Sequence, residues 1–316
     1  MSMLLRGVGT QTRPGHPAAG RGPGKARRRR QALVAWMFAL PFVLVFAAFM
    51  LVPIVGSFAM SFTDFQARDT THPFAVNFAG LTQYTALFTD PRFLTSMRVT
   101  ATFVFLGIPS TIALALALAV ALNSGIKRFR AVFRVGYYAP VVTSIIAVAV
   151  VWRYVLQPDG LLNTVLAWVG IDGPNWLHST TWALPALTMM AVWRNTGTLM
   201  IIFLAGLQAV PEEVLEAAAI DGAGSWRRFG SVVLPLLRPT ILLGSVLISV
   251  SYLQFFEESF VMTQGGPLDS TLSVAYYTYQ QFGFGDYGRA SASSYVLFVA
   301  IAVLSIVQFR LLRSQD

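Results

Sequence analysis

The sequence contains no cysteine, so it forms no disulfide and offers no thiolate to a metal. Its three histidines, His16, His72 and His178, are scattered and lack the spacing of a metal site. Charge is scarce as well. Only 12% of the 316 residues are Asp, Glu, Lys or Arg, whereas a soluble domain carries about 25%. Water is therefore a poor solvent for this chain. In place of charge, 55% of the residues are hydrophobic, and they come in long blocks rather than helical stripes. A helix needs about 20 mostly apolar residues to cross about 30 Å of hydrocarbon.

Six blocks meet that length, at about 32–56, 99–122, 135–156, 183–208, 240–262 and 290–310. The first is too long for the 7–15 residue core of a signal peptide, and it reads as an uncleaved span. The expected fold is an all-α polytopic membrane bundle of six transmembrane helices occupying 32–316. Residues 1–31, rich in Gly, Pro and Arg, are expected to be a disordered basic cytoplasmic tail. The stretch 161–171, LLNTVLAWVGI, is apolar but too short to span, and it fits a helix lying at the outer interface.

The net charge of +9 does not point to nucleic acid. Eight basic residues precede residue 31, and most of the others flank apolar blocks. Lys127, Arg128, Arg130 and Arg134 follow the second block. Arg227, Arg228 and Arg238 follow the fourth, and Arg310 and Arg313 the sixth. The alternate segments hold Arg68, Arg92, Arg98, Arg153 and Arg289. This asymmetry places both termini in the cytoplasm of a cell whose inner membrane holds the chain, and it requires an even number of spans.

The segment 211–239, PEEVLEAAAIDGAGSWRRFGSVVLPLLRP, joins the fourth and fifth blocks. Pro211 suits a helix start, and Glu212, Glu213 and Glu216 favour its positive end. Ala217, Ala218 and Ala219 continue the helix with little bulk. Gly222 and Gly224 stop it. Trp226, Phe229, Val232 and Val233 then recur at roughly helical spacing, and Pro235 and Pro239 are expected to break the chain before the fifth span. The result is a compact helix–turn–helix with a small-residue patch that lets another backbone approach.

This segment closely resembles the EAA loop of binding-protein-dependent ABC importer permeases. That pattern is Glu-Ala-Ala, three residues, then Gly, met here by Glu216, Ala217, Ala218 and Gly222. The sugar-importer branch continues as Asp221, Gly222, Ala223, then Trp226, Leu234, Pro235, Arg238 and Pro239. TQGGP at 263–267 and the C-terminal VQFRLLRS resemble the subgroup of the maltose and glycerol-phosphate importers' first permease. The chain is similar to the shorter members of that subgroup. The resemblance implies a permease that forms half of a path for a sugar or related polyol, paired with a second homologous permease. An extracytoplasmic solute-binding protein would deliver the solute. Two ATPase subunits would dock on the coupling loop, at Glu212, Glu213, Glu216, Ala217, Ala218, Asp221, Gly222 and Ala223. ATP and magnesium would belong to those partners, since this chain has no GxxxxGK[ST] loop. No cofactor and no catalytic residue is expected in the chain itself.

Polar residues inside the blocks are the candidates for the path. Trp193, Arg194 and Asn195 lie near the middle of the fourth block, where a charge costs roughly 2.5–3.5 kcal/mol on insertion scales. Arg donates several hydrogen bonds and Trp offers a flat apolar face, a combination that suits a hydroxyl-rich ligand. An ion pair or carbonyl clamp holding helices together fits equally. The fifth block carries Tyr252, Gln254, Glu257 and Glu258. Gln254 and Glu258 would share a helical face, and the glutamates would lie toward the outer side. They would meet solute, the partner permease or the binding protein. Of the two, Glu257 matches the family's acidic position. A stand-alone channel or secondary transporter is the alternative of a different class, and it would need no docking loop. A peptide-type ABC permease is disfavoured by the Ile-Asp-Gly-Ala continuation, and a membrane-anchored structural protein would leave Arg194 as an unexplained cost.

Overall fold

The computed structural model describes residues 25–72, 76–124 and 130–312. The chain divides into two units at Val55. The described part of the first unit, residues 25–55, is one continuous helix. It begins as α1 (Lys25–Phe46), passes through a π-helical turn at Ala47–Leu51, and continues as α2 (Val52–Met60), whose C-terminal half belongs to the second unit. Trp36, Phe38, Phe42 and Phe49 along it belong to an apolar stretch long enough to cross a membrane. Residues 25–31 are therefore helical rather than part of a disordered tail. Lys, Ala, Arg and Gln are strong helix formers, and adding turns to an existing helix costs little. The rest of that expected tail, residues 1–24, lies outside the described residues.

The second unit contains α3 (Thr82–Thr89), α4 (Pro91–Ser124), α5 (Arg130–Val142), α6 (Ile145–Val155), α7 (Leu161–Trp168) and α8 (Ala183–Gln208). It continues with α9 (Glu212–Ile220), α10 (Ser225–Arg228), α11 (Leu234–Leu236), α12 (Arg238–Leu253), α13 (Val274–Gly283) and α14 (Tyr287–Leu312). Among the described residues there is no strand, only an isolated bridge between Thr63 and Phe78. Among the described residues four helices are long and apolar enough to cross a membrane: Ala32–Met60, Pro91–Asn123, Ala183–Gln208 and Tyr287–Leu311. Two bent pairs raise the number to six if each counts as one span. This is an all-α multi-pass membrane bundle.

Its centre is the packing of α4 on α8. Phe103, Ala115, Ala119 and Leu122 meet Leu187, Met190, Leu199, Met200 and Phe203, all essentially inaccessible. Two glycines set the close approaches. A Cβ at Gly107 would collide with the ring of Tyr252 on α12, and one at Gly197 would collide with the Tyr137 carbonyl on α5. A second, smaller core of Leu87, Phe93, Leu272, Val274, Tyr276, Tyr277 and Ala292 ties α3 and the start of α4 to α13 and α14. Arg92 closes it with a two-pronged ion pair to Asp269, 3.0 and 3.1 Å, and a 3.2 Å bond to the Gln280 side chain. Tyr277 donates to Asp90 at 2.7 Å. Burial pushes the Asp90 carboxyl up, but the Tyr277 hydroxyl and the amides of Arg92 and Phe93 outweigh it and hold the group below its ordinary range.

The third and fifth apolar blocks are not straight helices. α5 and α6 meet at 101° around Thr143 and Ser144. Pro140 has no N–H for the helix ladder, and Ser144 is extended. The helix 225–236, which includes a π-helical turn at Phe229–Val233, meets α12 at 68° at Leu237. Pro235 stays inside the helix 225–236, in its last turn, and only the bend before Pro239 breaks the chain. α12 itself stops at Leu253. Phe255 leaves the helix and stacks on Phe103, with centroids 4.0 Å apart and planes 18° apart, and helix resumes only at Glu257. The burial of that ring overrides continuation of the helix. Gln254 and Glu258 consequently do not share a face: Gln254 is exposed and Glu258 buried.

Candidate functional site

The loop between α8 and α12 is built by local sequence. Pro211, at φ −61° and ψ 133°, caps α9, and Glu212 and Glu213 occupy the first turn where the helix dipole favours acids. The other end closes as a Schellman motif. The Gly222 amide donates to the Ala219 carbonyl at 3.0 Å, and the Ala223 amide to the Ala218 carbonyl at 3.0 Å. This geometry requires a left-handed residue, and Gly222 supplies it with φ +78°. Glu212, Glu213, Glu216, Ala217, Asp221 and Gly222 are exposed, with Ala218 and Ala223 half-buried. Ile220 and Trp226 flank the turn at 87% and 89% exposure. The loop thus presents a small-residue helix end bordered by two large apolar side chains that no described residue covers.

The candidates at membrane depth separate into three groups. Trp193 faces Trp152, ring centroids 5.6 Å apart. It borders one cavity of about 400 Å³ shared with Gly136, Pro140 and Thr143, and another of about 360 Å³ shared with Leu106, Ser110 and Met189. Asn195 turns the other way. Its amide donates to the Ala191 carbonyl at 2.9 Å, and it lies against the Tyr252 hydroxyl, which shares a 2.7 Å hydrogen bond with Thr111. Arg194 lies between them, half-buried, with a buried Nε that has no hydrogen-bond partner.

On the broken fifth span, Tyr252 is 1% exposed, Gln254 is exposed and Glu257 is half-buried. The structure therefore joins Asn195 to Tyr252, and it leaves Trp193, Gln254 and Glu257 apart from that pair. Thr111 and Trp152 belong to these clusters although nothing in their sequence context marked them. Glu258, set aside in favour of Glu257, is the deeply buried acid of the segment. Its sequence signal was only its place in a Glu-Glu pair after an aromatic run. Among the described residues no group of His, Asp or Glu is placed to hold a metal ion.

A cavity of about 340 Å³ lies between the end of α6 and the segment 261–267, lined by Arg153, Gln157, His178 and Thr263 together with the apolar Leu177, Val261 and Met262. Arg153 donates to the Val261 carbonyl there at 3.3 Å.

Comparison with known proteins places this architecture. Residues 111–316 match the family described as binding-protein-dependent transport system inner membrane component. The lactose transport system permease protein LacF of Rhizobium radiobacter is 34% identical over 280 residues, 87% of this chain and 92% of that protein. The trehalose/maltose transport system permease protein MalF of Thermococcus litoralis is 33% identical over 282 residues, covering 89% and 94%. The probable ABC transporter permease protein YesP of Bacillus subtilis is 34% identical over 288 residues, covering 89% and 91%. Among solved structures, a bacterial alginate ABC transporter in complex with a pentasaccharide-bound periplasmic protein superposes with a TM-score of 0.77. It covers 92% of this chain and 97% of that one at 22% identity, a likeness of fold. A match over the membrane core, together with relatives above 30% identity along almost the whole chain, makes this protein a member of the binding-protein-dependent ABC importer permease family.

Proposed function

We propose that the chain forms half of the membrane path of an importer for a sugar or related polyol, with a second homologous permease as the other half. It is a multi-pass inner-membrane protein with both termini in the cytoplasm. An extracytoplasmic binding protein delivers solute, and two ATPase chains that hold ATP and magnesium drive the cycle from the cytoplasmic side. The relatives named for lactose and for trehalose and maltose support the substrate class. The observation that carries the reading is the exposed α9 end. Its Glu216 and Ala217 are exposed, Ala218 is half-buried, and the left-handed Gly222 has open space where a Cβ would stand. Such a surface gives a nucleotide-driven partner a rigid handle. Movement of the handle shifts the chain between two states that differ in their fit to solute, which is all a permease contributes.

The test is reconstitution. The chain co-expressed with its partner permease, ATPase and binding protein is expected to copurify as one complex, with ATP hydrolysis stimulated by the sugar-loaded binding protein. A transport-competent assembly made of this chain alone would refute the proposal and favour a stand-alone carrier. The coupling helix and the path candidates Trp193, Arg194, Asn195, Tyr252, Gln254 and Glu257 are assigned on this basis.

A further inference from the structure

The third and fifth spans both run outward in the proposed topology, and their outer ends meet around the cavity of about 340 Å³. Small-ligand sites occupy about 300–1,000 Å³, so this one is roomy enough for a small solute and larger than a single inserted side chain needs. Its lining is graded. Leu177 and Met262 form a buried apolar floor, while Arg153, Gln157, His178 and Gln264 form an exposed polar rim. A sugar ring has the same two characters, with C–H groups on its faces and oxygens around its edge. Two of the rim residues are basic, and no described Asp or Glu lines the cavity.

Arg153 is held at the cavity by the opposite wall, where its guanidinium donates one N–H to the Val261 carbonyl at 3.3 Å. A guanidinium has five N–H donors in a planar fork, more than that one bond uses. A carboxylate is the group whose two oxygens match the fork. His178 Nδ1 lies 3.1 Å from Asn175 Oδ1, a bond that leaves Nε2 for a ligand hydroxyl.

The wall opposite α6 keeps its shape at a conformational cost. Gln264, Leu268 and Asp269 all have left-handed φ, at +53°, +49° and +57°, which residues with a side chain rarely adopt. Such strain persists only where the surroundings over-determine it, and it collects at functional sites. Here Ser259 donates to the Thr271 carbonyl at 2.6 Å, the Thr271 hydroxyl donates to the Gly266 carbonyl at 2.8 Å, and the Arg92 ion pair pins Asp269. The segment beside the cavity is thus fixed in advance, which lowers the ordering cost of binding a ligand there.

We propose that this cavity is an outer binding site for an acidic sugar, a uronate, whose carboxylate pairs with Arg153 and whose ring lies over Leu177 and Met262. The inference rests on the proposed role of the chain as half of a sugar path, and it narrows the solute to an acidic one.

The experiment uses the assembled importer in nanodiscs, with this naturally cysteine-free chain carrying Gln157→Cys at the rim. Alkylation by N-ethylmaleimide is read by the mass of the chain. The probes are D-galacturonate against D-galactose and D-glucuronate against D-glucose, pairs that differ only at C6. In at least one pair the uronate is expected to protect the cysteine at roughly ten- to hundredfold lower concentration than its neutral partner, as a hydrogen bond to a charged group implies. Arg153→Gln should raise the uronate requirement to that of the neutral sugar and leave the neutral sugar unmoved. His178→Glu should do the same by repulsion. It leaves the Arg153–Val261 contact in place, so it decides the question if Arg153→Gln fails to assemble. A cysteine that does not label without sugar, equal protection within both pairs, no protection at all, or an undiminished preference in His178→Glu overturns the site. Protection that appears only when the unloaded binding protein docks assigns the cavity to an acidic side chain of that protein and overturns it as well. In each of these cases copurification of the chain with its ATPase leaves the importer reading intact, whereas a chain that assembles with no ATPase refutes that reading itself.

Discussion

Replacement of Gly222 isolates the turn that ends α9, the helix proposed to dock the ATPase. Its φ of +78° is left-handed, and nothing lies within 4 Å of where a Cβ would stand. A side chain there meets no steric obstacle from neighbours, so the whole penalty comes from the backbone. That penalty is about 1–2 kcal/mol for an ordinary residue. It is smaller for Asn, which tolerates the left-handed region, and larger for β-branched Val. Each 1.4 kcal/mol is tenfold in an equilibrium, so Gly222→Ala should lower the population of the native turn by roughly 5- to 30-fold relative to competing loop shapes. The hydrogen bonds from Gly222 and Ala223 back to α9 go with it. The expected order of ATPase copurification and ATP-driven uptake is wild type, then Asn, then Ala, then Val, with the chain itself still present in the membrane. Gly224 is the internal control. It also has open space around it, but its φ is −64°, so Gly224→Ala should cost almost nothing. Wild-type attachment and uptake in Gly222→Val, or equal damage from Gly224→Ala, would refute the argument from turn geometry.

Three further outcomes are expected. In the cysteine-free chain, a membrane-impermeant thiol reagent should reach Leu268→Cys only from outside and Trp226→Cys only from the cytoplasm, both positions being about nine-tenths exposed, and the reverse pattern inverts the topology. Gly107→Val should disrupt the α4–α12 contact by colliding with Tyr252, so that the complex loses thermal stability by about 1–3 kcal/mol in a detergent melt; an unchanged melt would mean the contact relaxes freely. Arg194→Ala should reduce uptake while the complex still assembles. Loss of assembly would instead assign Arg194 to holding helices together, and normal values of both would remove it from either role.

The composition alone required a membrane solvent, because so little charge cannot solvate blocks of apolar residues as long as these. The shape of the loop after α8 was equally legible, since its chemistry is local: acids at a helix start, alanines along it, and a glycine where the chain must turn left-handed. The helical stretches at 183–208 and near 99–122 and 290–310 could be read for the same reason, as unbroken apolar length with no competing signal. The path could not be read this way. Apolar runs do not reveal where a helix breaks, and the break after Leu253 exists because the Phe255 ring gains more by stacking on Phe103, some 150 residues away, than by staying helical. That contact rotated Glu258 inward and left Gln254 exposed, reversing their expected companionship on one face. It is also why Thr111, with no motif around it, ends beside Tyr252 and Asn195, and why Glu258 rather than Glu257 is the buried acid. Local patterns fix which segments are helical and which solvent they meet. Which polar atoms face each other within the bundle is set by long-range packing, which no stretch of sequence carries by itself.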